Sequence, residues 1–246
     1  MKKSTLFLLA AVAIISVSLA VYDFQLRAEV RKGDYAKPLY HYRDLGLNGF
    51  NRIEMRASTT ANVHLERGPF RVAIAPDVSD FLTTRVEDST LIIEAHFSDR
   101  NRGSNSDPSL YVACPSLRSF RADAWYTVNG RMVVDGAVSP YWVKLAKISG
   151  FEGDSLVLEE EYGSNVLLEE IRYKHISAVL GAKKEGWNAP VLTIGDKSHF
   201  DSSDLNILGH GQLRVTGSDI RQLNYHFSDS ASLTISGTAV RHLKLY

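Results

Sequence analysis

Cysteine is almost absent from this chain of 246 residues: Cys114 stands alone, so no intramolecular disulfide can staple the fold. Packing and hydrogen bonds must hold it in any redox compartment. Excess charge of one sign is missing as well. Lysine plus arginine and aspartate plus glutamate both number 28, with no basic stripe, which excludes the electrostatic footprint of a nucleic-acid-binding protein. The chain has no H-E-x-x-H string and no calcium-binding Gly-Gly-x-Gly-x-Asp repeat, and its scattered histidines match no zinc pattern, so neither a cofactor nor a metal is called for. No cysteine follows the first apolar run, which rules out a lipoprotein anchor at that point. What is abundant is apolar surface. A hydrophobic content of 44% suffices for one sizeable core or two small ones.

The first feature present is an uncharged, mainly apolar run from Leu6 to Tyr22 behind Lys2 and Lys3, the n-region and h-region of a secretory signal. It predicts an N-terminal apolar helix and an exported protein of the periplasm or cell envelope. Ser18-Leu19-Ala20 places small residues where a signal peptidase reads, while the run is also at the lower edge of what spans a bilayer. Residues 1–22 are therefore a signal peptide or a membrane anchor, and any contact with membrane is expected only through them. Residues 23–48, charged and tyrosine-rich, read as a juxtamembrane connector. Residues 49–246 read as one β-rich domain.

Within that domain, apolar residues alternate at period two in short stretches: Val63 and Leu65; Phe70, Val72 and Ile74; Leu91, Ile93 and Ala95. Gly68-Pro69 and Glu87-Asp88-Ser89 supply turns between them, which predicts an antiparallel meander over about 49–108. Cys114 falls on the apolar side of the next such stretch, with Leu110 and Val112, and is expected to be a buried, inert thiol. Near the C-terminus, Leu213-Arg214-Val215-Thr216-Gly217-Ser218-Asp219-Ile220-Arg221-Gln222-Leu223 recurs 20 residues later as Leu233-Thr234-Ile235-Ser236-Gly237-Thr238-Ala239-Val240-Arg241-His242-Leu243. Leu192-Thr193-Ile194-Gly195 is an earlier degenerate copy. A strand followed by a glycine corner at a fixed period predicts stacked coils, so the expected fold is all-β: a meander running into a right-handed parallel β-helix, a solenoid over about 109–246, with Leu213, Val215, Leu233 and Ile235 in a shared core. A β-sandwich is the competing fold.

Phe50-Asn51-Arg52-Ile53, the Val63 to Ile74 alternation, Leu91-Ile92-Ile93 and Leu110-x-Val112-x-Cys114-Pro115-x-Leu117-x-x-Phe120 together resemble the auto-transporter adhesin head GIN domain family, exported bacterial domains of unknown function. The resemblance covers about residues 48–243. It implies a β-helical, envelope-exposed domain and carries over no catalytic residue. Arg121-Ala122-Asp123-Ala124-Trp125 departs from the Gly/Ser step that relatives tend to have there.

Candidate chemistry is sparse. Glu159-Glu160-Glu161 and Glu169-Glu170 supply carboxylates that a glycoside hydrolase would pair, although Glu runs beside apolar residues usually mark a solvated face. His199, Asp201 and Asp204 could approach a metal, yet read more simply as a polar corner. Trp125, Tyr126, Tyr141, Trp142 and Trp187 are the candidate ligand contacts, because flat aromatic faces stack on sugar rings. The sequence thus favours a non-catalytic binding or adhesin-like module over a structural envelope protein or an enzyme, with envelope polysaccharide or a surface protein as the expected partner.

Overall fold

The computed structural model describes residues 3–33, 39–98, 107–134, 144–182, 189–237 and 239. The chain divides into two units, Met1–Tyr42 and Arg43–Tyr246.

In the first unit, α1 (Lys3–Lys32) takes in the apolar run and continues beyond Tyr22 through residues read as connector. Leucine, alanine, glutamate, lysine and arginine favour the helix, and no glycine or proline interrupts it before Gly33. Two ion pairs support its polar end, Asp23 with Arg27 at 2.9 Å and Glu29 with Lys32 at 2.6 Å. Arg31 and Lys32 oppose the dipole in the last turn, and Gly33 at φ +69° ends it.

The described residues of the second unit are mainly β-strand, with a 3-10 turn at Pro76–Val78 between two of the strands. Its first strands are β1 (Arg43–Asp44), β2 (Arg52–Met55), β3 (Val63–Arg67), β4 (Arg71–Ile74), β5 (Leu82–Glu87), β6 (Thr90–Phe97), β7 (Leu110–Cys114), β8 (Ser119–Ala122), β9 (Trp125–Val128) and β10 (Arg131–Val134). Then come β11 (Ala146–Ser149), β12 (Glu152–Glu160), β13 (Asn165–Glu169), β14 (Arg172–Leu180), β15 (Val191–Ile194), β16 (His199–Ile207), β17 (Gln212–Thr216), β18 (Asp219–Phe227) and β19 (Ser232–Ser236). They form two large sheets. One runs β1-β4-β7-β3-β11-β13-β15-β17-β19, and the other runs β10-β9-β6-β2-β8-β12-β14-β16-β18 with β5 beside β6.

This corrects the expected fold. The early strands are not a meander: β3 and β4 are separated by β7, which is parallel to β3 and antiparallel to β4, while β6 lies in the other sheet. Nor is the unit a closed right-handed parallel β-helix. Both sheets are mixed, with antiparallel pairs β1/β4, β4/β7, β5/β6 and β9/β10, so the architecture is two large mixed sheets. Period-two alternation shows that a segment is a half-buried strand but is silent on its partner, which is where the inference failed.

From β11 onward, successive strands alternate between the sheets and pair in parallel with the strand two places on. The recurring strings lie side by side, with Leu192 opposite Leu213 and Leu213 opposite Leu233. Inward residues form continuous columns: Val63, Ala146, Val166, Leu192 and Leu213 in one sheet, and Phe120, Leu158, Ala178 and Leu205 in the other, all at most 3% exposed. The shared-core expectation stops at the last strand. Leu213 and Val215 are buried, but Leu233 is 38% exposed because β19 ends its sheet. Cys114 is fully buried, and burial pushes its thiol up to about 12, so it is protonated and unreactive at neutral pH.

Candidate functional site

The chain crosses from the first sheet to the second at a stack of corners, each bent by one residue in left-handed backbone. Counting back from the paired strands β12, β14, β16 and β18 aligns these residues as Gly150 (φ +74°), Glu170 (+55°), Lys197 (+59°) and Gly217 (+69°). Glycine adopts this conformation freely, whereas a side chain pays for it. Glu170 and Lys197 therefore stand where glycine is the easy choice. They are ion-paired to each other, with Lys197 Nζ 2.5 Å from Glu170 Oε1. Each stabilises the other's charge, lowering the Glu170 carboxyl and raising the Lys197 ammonium from their ordinary values.

Two residues further along each corner, the second-sheet strands begin with a cross-strand row, Glu152, Arg172, His199 and Asp219. Two adjoining clefts open between the corner column and this row. One, of about 400 Å³, is lined by Arg172, Lys197, Ser198, His199, Gly217 and Asp219. The other, of about 230 Å³, is lined by Gly150, Phe151, Glu152, Glu170, Arg172 and Lys197. Arg172 and Lys197 are common to both.

The commitments of the lining groups leave one cation over. Glu152 is held by Arg67, Lys197 by Glu170, and His199 by Asp219 at 3.0 Å and Asp201 at 3.4 Å. Arg172 is exposed, and no ion pair engages its guanidinium among the described residues. It offers a planar fork of donors suited to a carboxylate, phosphate or sulfate. Ser198, buried beneath, gives its hydroxyl to the Leu168 carbonyl at 3.3 Å.

The residues singled out from sequence are placed elsewhere. Trp125 is half-buried on β9, with the Arg56 guanidinium 5.2 Å from its ring centre. Tyr126 meets Phe97 edge-on at 5.2 Å, and Phe97 stacks on Phe81 at 4.7 Å. Trp125 and Tyr126 are thus brought to one strand with different neighbours, while Tyr141, Trp142 and Trp187 lie outside the described residues. Among the carboxylates, Glu159 faces out toward Arg121 at 3.6 Å, and Glu169 pairs with Lys147 at 2.7 Å. Glu160 is sealed in the core, both its oxygens without a hydrogen-bond partner, and burial alone raises its pKa well above the carboxylate range. His199 is gripped at opposite ring nitrogens by two carboxylates, while Asp204 bonds Asn224 at 3.1 Å. No group of three or more His, Cys, Asp or Glu is placed to hold a metal among the described residues. Sequence reasoning passed over Arg172, because its significance lies in its neighbours' commitments. The available signal was the Gly150, Gly217 and Gly237 corners, against which Glu170 and Lys197 are exceptions.

No family model matches the chain, and no curated protein matches it by sequence. Its structure is similar to that of a "putative adhesin" from Parabacteroides distasonis, at 12% identity over 78% of this chain and 71% of that one, with a TM-score of 0.53. Also similar are a "putative adhesin" from Bacteroides fragilis (12% identity, 79% of this chain and 96% of that one, TM-score 0.40) and a "putative lipid binding protein" from P. distasonis (14%, 80% and 94%, 0.33). The first shows a shared fold and nothing of activity; the other two are too distant in geometry to carry an argument. What stands is an all-β protein preceded by an apolar helix of the kind that serves as a signal or an anchor.

Proposed function

We propose that this chain is an exported, non-catalytic binding module of the cell envelope, adhesin-like in role, and that it takes an acidic ligand in the corner clefts beside Arg172. The observation that carries the reading is the uncommitted guanidinium of Arg172, flanked by Glu170 and Lys197 at backbone positions that disfavour side chains. Strain of that kind persists where the surroundings fix it, and it clusters at ligand sites. The name of the P. distasonis protein that shares the fold, and the resemblance to the GIN domain family, point the same way. An enzyme reading gains no support from the acidic clusters: Glu160 is sealed from substrate, and Glu169 and Glu170 each hold a lysine. Envelope polysaccharides bearing uronic acids have the required chemistry, a carboxylate for Arg172 and hydroxyls for the polar rim.

The test is calorimetric titration of the full chain in detergent with polygalacturonate and with an uncharged dextran. Binding of the acidic polymer should weaken about tenfold in Arg172→Gln, the effect of one charge-assisted contact worth ~1.4 kcal/mol. Binding of dextran and polygalacturonate alike, unchanged by the variant, would keep the module but move its site away from Arg172. Failure to bind any polymer or surface protein would remove the reading altogether.

A further inference from the structure

We infer that the N-terminal helix is a retained membrane anchor and that signal peptidase does not remove it. This goes beyond the binding reading and is independent of it. The small residues that make Ser18-Leu19-Ala20 legible as a cleavage site lie in the middle of α1, with helix running on to Lys32. A protease reads its substrate in extended form, so cleavage after Ala20 requires several turns to open at that point. No glycine or proline precedes Gly33 to interrupt them. Beyond the apolar run, the helix is held by its own pairs, Asp23 with Arg27 and Glu29 with Lys32.

Length points the same way. Cleavable signals have apolar cores of roughly 7–15 residues. The run from Leu6 to Tyr22 is longer, roughly 17 residues or about 25 Å of helix. The hydrocarbon core of a bilayer is about 30 Å thick, and flanking side chains close that gap: Tyr22 at one interface, and Lys3 reaching outward along its methylene stem at the other. Leu8, Val12, Ile15 and Leu19 are each more than half exposed, apolar surface that a bilayer would cover.

The experiment is expression of the full chain in a bacterial host, followed by fractionation, alkaline extraction and mass measurement. The wild type should stay with the membranes at its full 27.4 kDa with its N-terminus intact. Val17→Pro removes a helical hydrogen bond just ahead of the site. It should be processed after Ala20 and released. Recovery of wild-type protein lacking residues 1–20, or of intact protein in the soluble fraction, would overturn the anchor. Val17→Pro remaining as intact and membrane-bound as the wild type would overturn helix continuity as its cause. Either result leaves the Arg172 titration to be judged on its own.

Discussion

Lys197 and Glu170 face each other across adjacent corners, 2.5 Å apart, from two backbone positions whose counterparts in the stack are the glycines Gly150 and Gly217. Left-handed backbone costs an ordinary L-residue ~1–2 kcal/mol. Gly217→Ala should therefore destabilise by about that amount, whereas Lys197→Gly should leave the unfolding midpoint unchanged or raised despite losing the ion pair. Urea denaturation of both variants checks the asymmetry. Equal losses would mean that the Lys197 side chain, and not its backbone, sets the stability of the corner.

A second close relationship fixes β12 against its neighbours. The Tyr173 ring starts on β14, passes beneath β12 at Gly153 and delivers its hydroxyl to the Leu117 carbonyl at 2.8 Å. A β-carbon on Gly153 would stand 2.9 Å from Cε1 of that ring. Because Tyr173 is buried and tied at its far end, it cannot yield cheaply. Gly153→Ala should cost ~1–3 kcal/mol by overpacking. Tyr173→Phe, which orphans a carbonyl, should cost about 1 kcal/mol. A double-mutant cycle in chemical denaturation should show coupling, since freeing the hydroxyl lets the ring move away from the added methyl.

Leu213 and Leu233 occupy equivalent places in two strings that read almost identically, yet their burial differs, at 1% and 38% exposed. Leu213→Ala should cost ~2–5 kcal/mol, as core truncations do. Leu233→Ala should cost well under half of that, because part of its surface is already in water. Similar losses in thermal or urea unfolding would indicate that the end of the stack is covered in solution.

The same pair shows how far the sequence could be read. Its recurrence located two strands and the register between them, because an inward leucine and a glycine corner are local requirements of every such strand. Which strand lies next to β3, by contrast, depends on β7 returning from far along the chain, and no local pattern encodes that pairing. The meander and the closed helix were both inferred from neighbours in sequence, and both fail at long-range pairing. Arg172 was illegible for a related reason: its freedom depends on Arg67 taking Glu152 and Glu170 taking Lys197. Glu160 was legible only as one of three acids, until the strand phase turned Glu159 outward and Glu160 in.

Glu94 and Glu160, both removed from water, should respond to pH in opposite senses. Burial raises the Glu94 carboxyl, but hydrogen bonds from Arg85 and Arg56 outweigh it and leave its pKa below the ordinary value. Its stabilisation is complete above the ordinary glutamate range of about 4.5 and is lost as pH falls through the lower folded value. Glu94→Gln should thus destabilise by about 1–3 kcal/mol at pH 7, with the difference shrinking on acidification. Glu160 has no such partner. It lies in register between Ala122 and Leu180, and burial holds its proton on well above the usual range. The fold bears no ionisation cost from it below about 4.5, where the unfolded chain is also protonated, and a growing one as pH rises from there. Glu160→Leu, which continues the apolar column, should stabilise by ~1–4 kcal/mol at neutral pH. That gain should fall toward pH 4. Urea midpoints of both variants between pH 4 and pH 8, referenced to wild type, should diverge with rising pH. A gain from Glu160→Leu that is flat across that range would show that the buried carboxyl is not what titrates.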